Sequence, residues 1–171
     1  VDLTVFASPA ALVCENGVVA GVDNTVWTTV GLSNTYTSPV VVCTPNYDNT
    51  SVPLVVRIQN AGTNSFEVRV DRADGLADPV TAVTVHYFVV EEGVYTVGAH
   101  GVRMEAMTYT STVTDENSSW VGESRIYANT YTAPAVVGQV MTYNDTGFSA
   151  FWCRGSAATE PPSPSALYTG K

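Results

Sequence analysis

Apolar and polar residues alternate along many short segments of this chain. Phe66, Val68 and Val70 are separated by polar residues, and Val83 and Val85 follow the same rule. A period of two residues is typical of a half-buried β-strand, whereas few windows show the spacing of an amphipathic helix. Turn sequences rich in Asn, Asp and Gly separate these segments at intervals of about 8–12 residues. The pattern therefore predicts an all-β protein, built as a sandwich or a barrel.

An internal repeat divides the chain. NTYTSPVVV begins at Asn34, and NTYTAPAVV begins 95 residues later at Asn129. The match extends upstream to Trp27 and Trp120, each of which precedes a predicted strand. We therefore predict two tandem antiparallel β-sandwich units related by this repeat. The predicted divisions are an N-terminal strand segment at 1–10, a first sandwich at 11–95 and a second sandwich at 96–171.

The second unit is predicted to lack its closing strand. The first copy ends with the apolar run Val83–Val90, and a shift of 95 residues would start its counterpart near position 178, past Lys171. A sandwich that lacks a strand exposes apolar core and unpaired backbone groups, and it favours the addition of a strand from elsewhere.

The N-terminal segment has the alternation that the missing strand requires. One face of residues 1–7 is apolar at every second position, as in Val83–Val90. The donor-strand candidates are Val1, Leu3, Val5 and Phe6. Three arrangements remain open: a strand beyond Lys171, donation from another copy, and pairing within one chain. Donation between copies would build a head-to-tail polymer that does not close.

Charge excludes some classes of partner. Sixteen acidic residues face seven basic ones, the formal net charge is −9, and the only lysine is Lys171. A nucleic-acid-binding protein carries a basic stripe, so we expect no nucleic-acid partner. No apolar run approaches the length of about 18 residues that spans a bilayer, so we expect no membrane insertion.

The cysteines do not have the spacing of a metal site. Cys14, Cys43 and Cys153 lie far apart without a CxxC pair, so no metal or other cofactor is predicted. Three cysteines allow one disulfide and one free thiol, and the sequence does not choose the pairing. Buried free thiols are the alternative.

Three N-glycosylation sequons lie in predicted turns. Sequons in turns suit an exported protein, located outside the cell or on its surface. The candidate acceptor residues are Asn49, Asn117 and Asn144.

The sequence does not predict a catalytic set. His86 lies within a predicted strand, His100 is the only other histidine, and the chain has no GxSxG turn. The acidic residues between Asp71 and Asp78 fit a hairpin turn better than a calcium loop. We therefore predict that the protein is not an enzyme.

The order of several residues in the first copy resembles the H-type lectin domain and related β-sandwich repeats of secreted bacterial surface proteins. These residues are Trp27, Tyr36, Pro39, Val41, Arg57, Phe66, Val68 and the run Val85–Phe88. The resemblance implies a six-stranded sandwich that trimerises and binds N-acetylgalactosamine-type sugars. At the closing strand, where those lectins carry a tryptophan, this chain has His86 and Tyr87.

A sugar site would place aromatic faces beside planar polar groups. Trp and Tyr residues at strand ends, together with neighbouring Arg and Asp residues, are the candidates. They are Trp27, Tyr47, Asp48, Arg57, Trp120, Tyr143 and Arg154.

Two functions follow from these observations. The first is a non-enzymatic extracellular structural protein, a subunit of a cell-surface fibre or array assembled by strand donation, whose partners are other copies of itself. The alternative is a lectin-like carbohydrate-binding module of a larger secreted protein, whose partners are glycans.

Overall fold

The computed structural model of this chain describes residues 11–48, 52–114 and 119–171. Six strands of four to nine residues lie before residue 92. They are β1 (Cys14–Val22), β2 (Thr28–Gly31), β3 (Pro39–Asn46), β4 (Leu54–Gln59), β5 (Ser65–Arg72) and β6 (Val83–Glu91). Shorter elements follow: β7 (Gly93–Tyr95), α1 (Val97–His100), β8 (Met104–Ala106), β9 (Glu123–Arg125), β10 (Trp152–Arg154) and β11 (Leu167–Gly170). The prediction of an all-β protein is confirmed.

The first six strands form two antiparallel sheets that share one core. The strand orders are β1-β6-β3 and β2-β5-β4. Alternate residues of each strand point inward, because successive side chains of a strand lie on opposite faces. The fully buried side chains at the centre are Val22, Val41, Val85 and Val89 from one sheet and Ile58, Phe66, Val68 and Val70 from the other.

Strand β6 is the central strand of its sheet. It pairs with β1 along one edge and with β3 along the other, antiparallel to both. Glu91, its last residue, accepts hydrogen bonds from the backbone N–H groups of Thr37 and Ser38, each at 2.8 Å, just before β3 begins. The strand that the sequence identifies as closing the unit therefore holds two other strands together.

Tyr87 of β6 packs inward and determines which residue can lie opposite it. Its ring meets Phe66 edge to face, with centroids 5.4 Å apart. A Cβ atom on Gly17 of β1 would overlap the Tyr87 ring. Glycine at this position therefore makes room for an aromatic residue in the central strand.

The second half of the chain has less regular structure. Its described strands form a three-stranded sheet, β10-β11-β9, and a hairpin of β7 with β8. Residues 107–114 and 133–142 have no strand pairing. The second sandwich therefore stays a prediction. The β7-β8 hairpin also crosses the predicted boundary between the units.

All three cysteines are free thiols. Cys43 lies in the core of the first sandwich, and burial raises the pKa of its thiol from 9.0 to about 12. The neutral thiol is thus favoured in the folded chain. The corresponding stability is complete below the unfolded pKa, and it is lost as the pH rises towards the folded pKa.

We expect Cys43→Val to flatten the pH dependence of stability above about pH 9. The parent chain should lose more free energy of unfolding than the variant between about pH 8 and about pH 10.5, because only the parent has the Cys43 thiol, which ionises on unfolding. Urea denaturation of both chains at each pH measures the difference. Parallel pH profiles for the two chains would contradict the buried, neutral state of this thiol.

Candidate functional site

A groove of about 1090 Å³ lies in the described part of the chain. We call it the long groove. One side is the outer face of β3 and β6, with Val40, Val42, Phe88 and Val90. The other side is formed by residues 103–111 and 133–142 of the second half, with Tyr127, Phe151 and Leu167 nearby. Its lining is mostly apolar.

Two matching sets of hydrogen bonds show which residues correspond in the two halves. In the first half, the Asn34 side chain donates to the Cys14 carbonyl at 3.3 Å. In the second half, the Asn129 side chain donates to the Met104 carbonyl at 3.0 Å. Asn129 is the repeat counterpart of Asn34, so Met104 takes the place of Cys14.

The adjacent carboxylates match in the same way. Glu15 accepts from the backbone N–H of Ser33 at 3.0 Å, and Glu105 accepts from the backbone N–H of Ala128 at 2.7 Å. Glu105 thus takes the place of Glu15. Residues 104–112 are therefore the counterpart of β1, and β8 is the part of that counterpart that forms a strand.

This correspondence places the long groove at a defined position in the repeat. In the first half, β6 lies between β1 and β3. The counterpart of β1 is 104–112, and the counterpart of β3 begins at Pro134, in the repeated NTYT motif. Both segments line the groove. The groove therefore lies where the repeat would place the counterpart of β6.

The groove also differs in charge from the rest of the chain. It is lined by Arg57, Arg103, Arg125 and Lys171, which are four of the seven basic residues. Of the sixteen acidic residues, only Glu105 and Asp145 are among the described residues that line the groove. Three buried polar atoms of groove-lining residues, Arg57 Nε, Glu105 Oε1 and Tyr127 Oη, have no hydrogen-bond partner in the described part of the chain, and burial raises the pKa of Tyr127. Buried polar atoms without partners are costly, so a ligand that offers backbone groups suits the groove.

Residues 139–147 of the second half lie along the outer edges of β3 and β4. The Val41 N–H donates to Met141 Sδ at 3.4 Å, and Gln139 Nε2 donates to the Val56 carbonyl at 3.0 Å. Exposed strand edges favour pairing with other chains. This segment therefore covers part of the open edge of the first sandwich.

Arg57 joins the two halves. Its side chain is 1% exposed. Nη1 donates to the Gly147 carbonyl at 2.7 Å and lies 3.3 Å from Asp71 Oδ2, while Nη2 donates to the Asp145 carbonyl at 2.6 Å. The guanidinium also lies 4.5 Å from the centre of the Tyr143 ring. A planar group with several donors is required for so many simultaneous contacts.

The same cluster contains Trp27. Its ring meets Tyr143 edge to face, with centroids 5.1 Å apart, and Arg69 lies 5.5 Å from the Trp27 ring centre. Three sugar-site candidates, Trp27, Arg57 and Tyr143, are thus brought together. Their rings and donors contact other protein groups, so the geometry is that of a clamp between the halves. Sequence patterns do not indicate Gly147 as a partner of Arg57, because the contacts to residues 145 and 147 join segments about 90 residues apart.

A second cluster contains two further candidates. Arg154 Nε donates to the Trp120 carbonyl and Nη2 to the Val121 carbonyl, both at 2.7 Å. Trp120 meets Trp152 edge to face at 5.1 Å, and the Arg154 guanidinium lies 4.0 Å from the Tyr168 ring centre. The Trp120 ring remains 41% exposed. Arg154 therefore fixes the loop that presents Trp120.

The other residues predicted as binding or glycosylation sites lie in separate places. Tyr47 is half-buried and Asp48 is exposed, both just after β3. Asn144 is exposed and lines the long groove. Some predictions fall outside the described residues, namely the donor-strand candidates Val1, Leu3, Val5 and Phe6 and the sequon residues Asn49 and Asn117.

Comparison with family models, curated proteins and solved structures gives no match for this chain. Over residues 11–48, 52–114 and 119–171, no three His, Cys, Asp or Glu side chains are grouped as metal ligands. No helix in those ranges has the length and apolar character needed to cross a membrane.

We expect Arg57→Lys to lower the free energy of unfolding by about 2–4 kcal/mol, because lysine cannot reach both carbonyls and Asp71 at once. Arg72→Lys is the matched control, since Arg72 pairs with the exposed carboxylate of Asp74, which water also solvates, and its replacement should matter less. Urea denaturation measures the loss. Hydrogen exchange of the 139–147 amides should accelerate in the Arg57 variant alone. Equal effects of the two substitutions would contradict the clamp.

Proposed function

We propose that this chain is a non-enzymatic, extracellular structural protein that assembles by strand donation, with the N-terminal segment of one copy entering the long groove of the next. One observation carries the proposal. The groove lies between the counterparts of β1 and β3, where the first half holds a central strand. An acceptor in such a position offers two unpaired edges to one incoming strand.

The alternation of the N-terminal segment fits the inner face of the acceptor. In β6, Val83, Val85, Tyr87 and Val89 contribute to the core. Residues 1, 3, 5 and 7 of the chain are Val, Leu, Val and Ala, at the same spacing. These side chains would point into the groove when the segment is extended.

Energetics explain why both edges are needed. Burial of a Val or Leu side chain stabilises by about 1.5–3 kcal/mol, so three inward side chains contribute roughly 5–9 kcal/mol. Association costs about 4–15 kcal/mol. Side-chain burial alone therefore gives weak binding at best. Hydrogen bonds along both edges supply the remaining stability, at about 0.5–1.5 kcal/mol each.

The geometry of donation leads to a polymer. The donor segment and the groove are different surfaces, so each contact leaves one donor and one acceptor free. Each copy carries a net charge of −9, and salt screens the repulsion between copies. Assembly should therefore strengthen as ionic strength rises.

A competing arrangement exists for the donor. The correspondence of Cys14 with Met104 aligns residues 1–7 with 91–97, and Gly93–Tyr95 pairs with β8. The N-terminal segment could thus pair with the free edge of its own β1. That arrangement yields monomers.

The test of strand donation is Leu3→Asp together with Val5→Asp in the full chain. We expect the parent to form polymers and this variant to remain monomeric, because two carboxylates would be buried in an apolar groove. Thr4→Asp, on the other face of the segment, is the matched control and should still assemble. Analytical ultracentrifugation and electron microscopy measure the outcome. A monomeric parent, or assembly that survives the double substitution, would overturn the proposal.

Carbohydrate binding is the second candidate, and the exposure of Trp120 favours it. An exposed indole held by a fixed loop can stack on a sugar ring, as aromatic residues do in binding sites. Residues 120 and 121 are held to β10 through Arg154.

If Trp120 binds sugars, the full chain should select particular glycans on an array, and Trp120→Ala should abolish the signal without a change in melting temperature. Val121→Ala is the control, because Val121 is the exposed neighbour. Uniform binding to all glycans, or equal signals from both variants, would eliminate this candidate.

A further inference from the structure

The repeat identifies an interaction in the first half that has no equivalent among the described residues of the second half. Glu91 ends the central strand β6, and its carboxylate binds the N–H groups of Thr37 and Ser38. Through the NTYT motif, the counterparts of Thr37 and Ser38 are Thr132 and Ala133. In the described part of the chain, these two N–H groups have no acceptor. Ala133 lines the long groove.

We propose that the ligand of the long groove is a β-strand of the β6 type: an extended segment with apolar side chains at every second position and a carboxylate at its C-terminal end. The proposal rests on the proposed function, because it describes the strand that the same groove accepts. It adds two features to alternation, namely direction and a terminal charge.

Direction follows from the pairing in the first half. Strand β6 is antiparallel to both β1 and β3. A strand between 104–112 and 134–141 must therefore run antiparallel to both segments to repeat these ladders. In that orientation, its C-terminal end lies beside Thr132, as Glu91 lies beside Thr37. The carboxylate then meets two free donors.

Register supports the same ligand. Gly138 is the counterpart of Cys43, which lies opposite Tyr87 in the β3-β6 register. The Phe151 ring lies against Gly138, where a Cβ atom would overlap it. An aromatic side chain thus already occupies this position, so the incoming strand needs only a smaller apolar residue here.

The N-terminal segment satisfies only part of this description. It alternates correctly, but Ala7, Ser8 and Pro9 stand where the carboxylate should be. Residues 83–92, VTVHYFVVEE, have the alternation and the terminal carboxylate, and Tyr87→Val in a peptide of this sequence supplies the smaller apolar residue opposite Gly138. A peptide of this sequence should therefore bind the groove more tightly than a peptide of residues 1–9.

The experiment uses the full chain carrying Leu3→Asp and Val5→Asp, so that its own N-terminal segment does not compete. Fluorescence anisotropy measures the binding of a labelled 83–92 peptide. We expect Glu91→Gln in the peptide to weaken binding about tenfold or more, since a charge-assisted pair of hydrogen bonds is lost. Val85→Asp with Val89→Asp should abolish binding, whereas His86→Asp, on the outer face, should change it little.

Each outcome separates this inference from strand donation by residues 1–7. Binding in the expected order, with assembly of the parent unaffected by Leu3→Asp and Val5→Asp, would support the β6-type ligand and reject the N-terminal donor. No binding of the 83–92 peptide would overturn the inference. Equal binding of all peptides would also overturn it, and so would a Glu91→Gln peptide that binds as well as the parent.

Discussion

A strand in the middle of a sheet must find hydrogen-bond partners along both of its edges, and the first half of this chain depends on one such strand. Strand β6 holds β1 and β3 in one sheet and supplies Val85 and Val89 to the core. Without it, two strands would lose their neighbour and the core would open, because buried backbone groups must be paired. Over the described residues of the second half, no strand of comparable length takes this central position.

Over the residues that the structure describes, the counterparts of β1 and β3 have no strand paired between them. Met104 and Glu105 repeat the contacts of Cys14 and Glu15, yet only Met104–Ala106 forms a strand there. Residues 133–142 repeat the sequence around β3 without forming a ladder. An isolated sheet of two strands has only marginal stability in water. On the proposed assembly, the irregular structure on both sides of the long groove follows from the position that an incoming strand would fill.

The Arg57 clamp holds another segment of the second half against the first sandwich. By binding the carbonyls of Asp145 and Gly147, it fixes the 139–147 segment along the edges of β3 and β4. This contact protects the first sandwich from edge pairing and fixes one side of the groove. It also explains why aromatic and Arg residues that suit a sugar site in the sequence have their contacts inside the protein. Stacking and hydrogen bonding serve both sugar binding and internal packing, so residue type alone does not separate these two roles.

The sequence by itself determined the class of fold and the existence of a repeat. Alternation at Phe66, Val68 and Val70 reports burial of one face, which is a local property that side-chain type and spacing encode directly. It also identified Val83–Val90 as the closing strand of the first copy. The tertiary structure decided that this segment is central rather than at an edge, since strand order arises from pairing between residues far apart and almost any residue can supply backbone hydrogen bonds. It likewise decided that Arg57 meets Asp145 and Gly147. Those contacts use main-chain carbonyls, which carry no sequence signature, and only the folded chain brings them within reach.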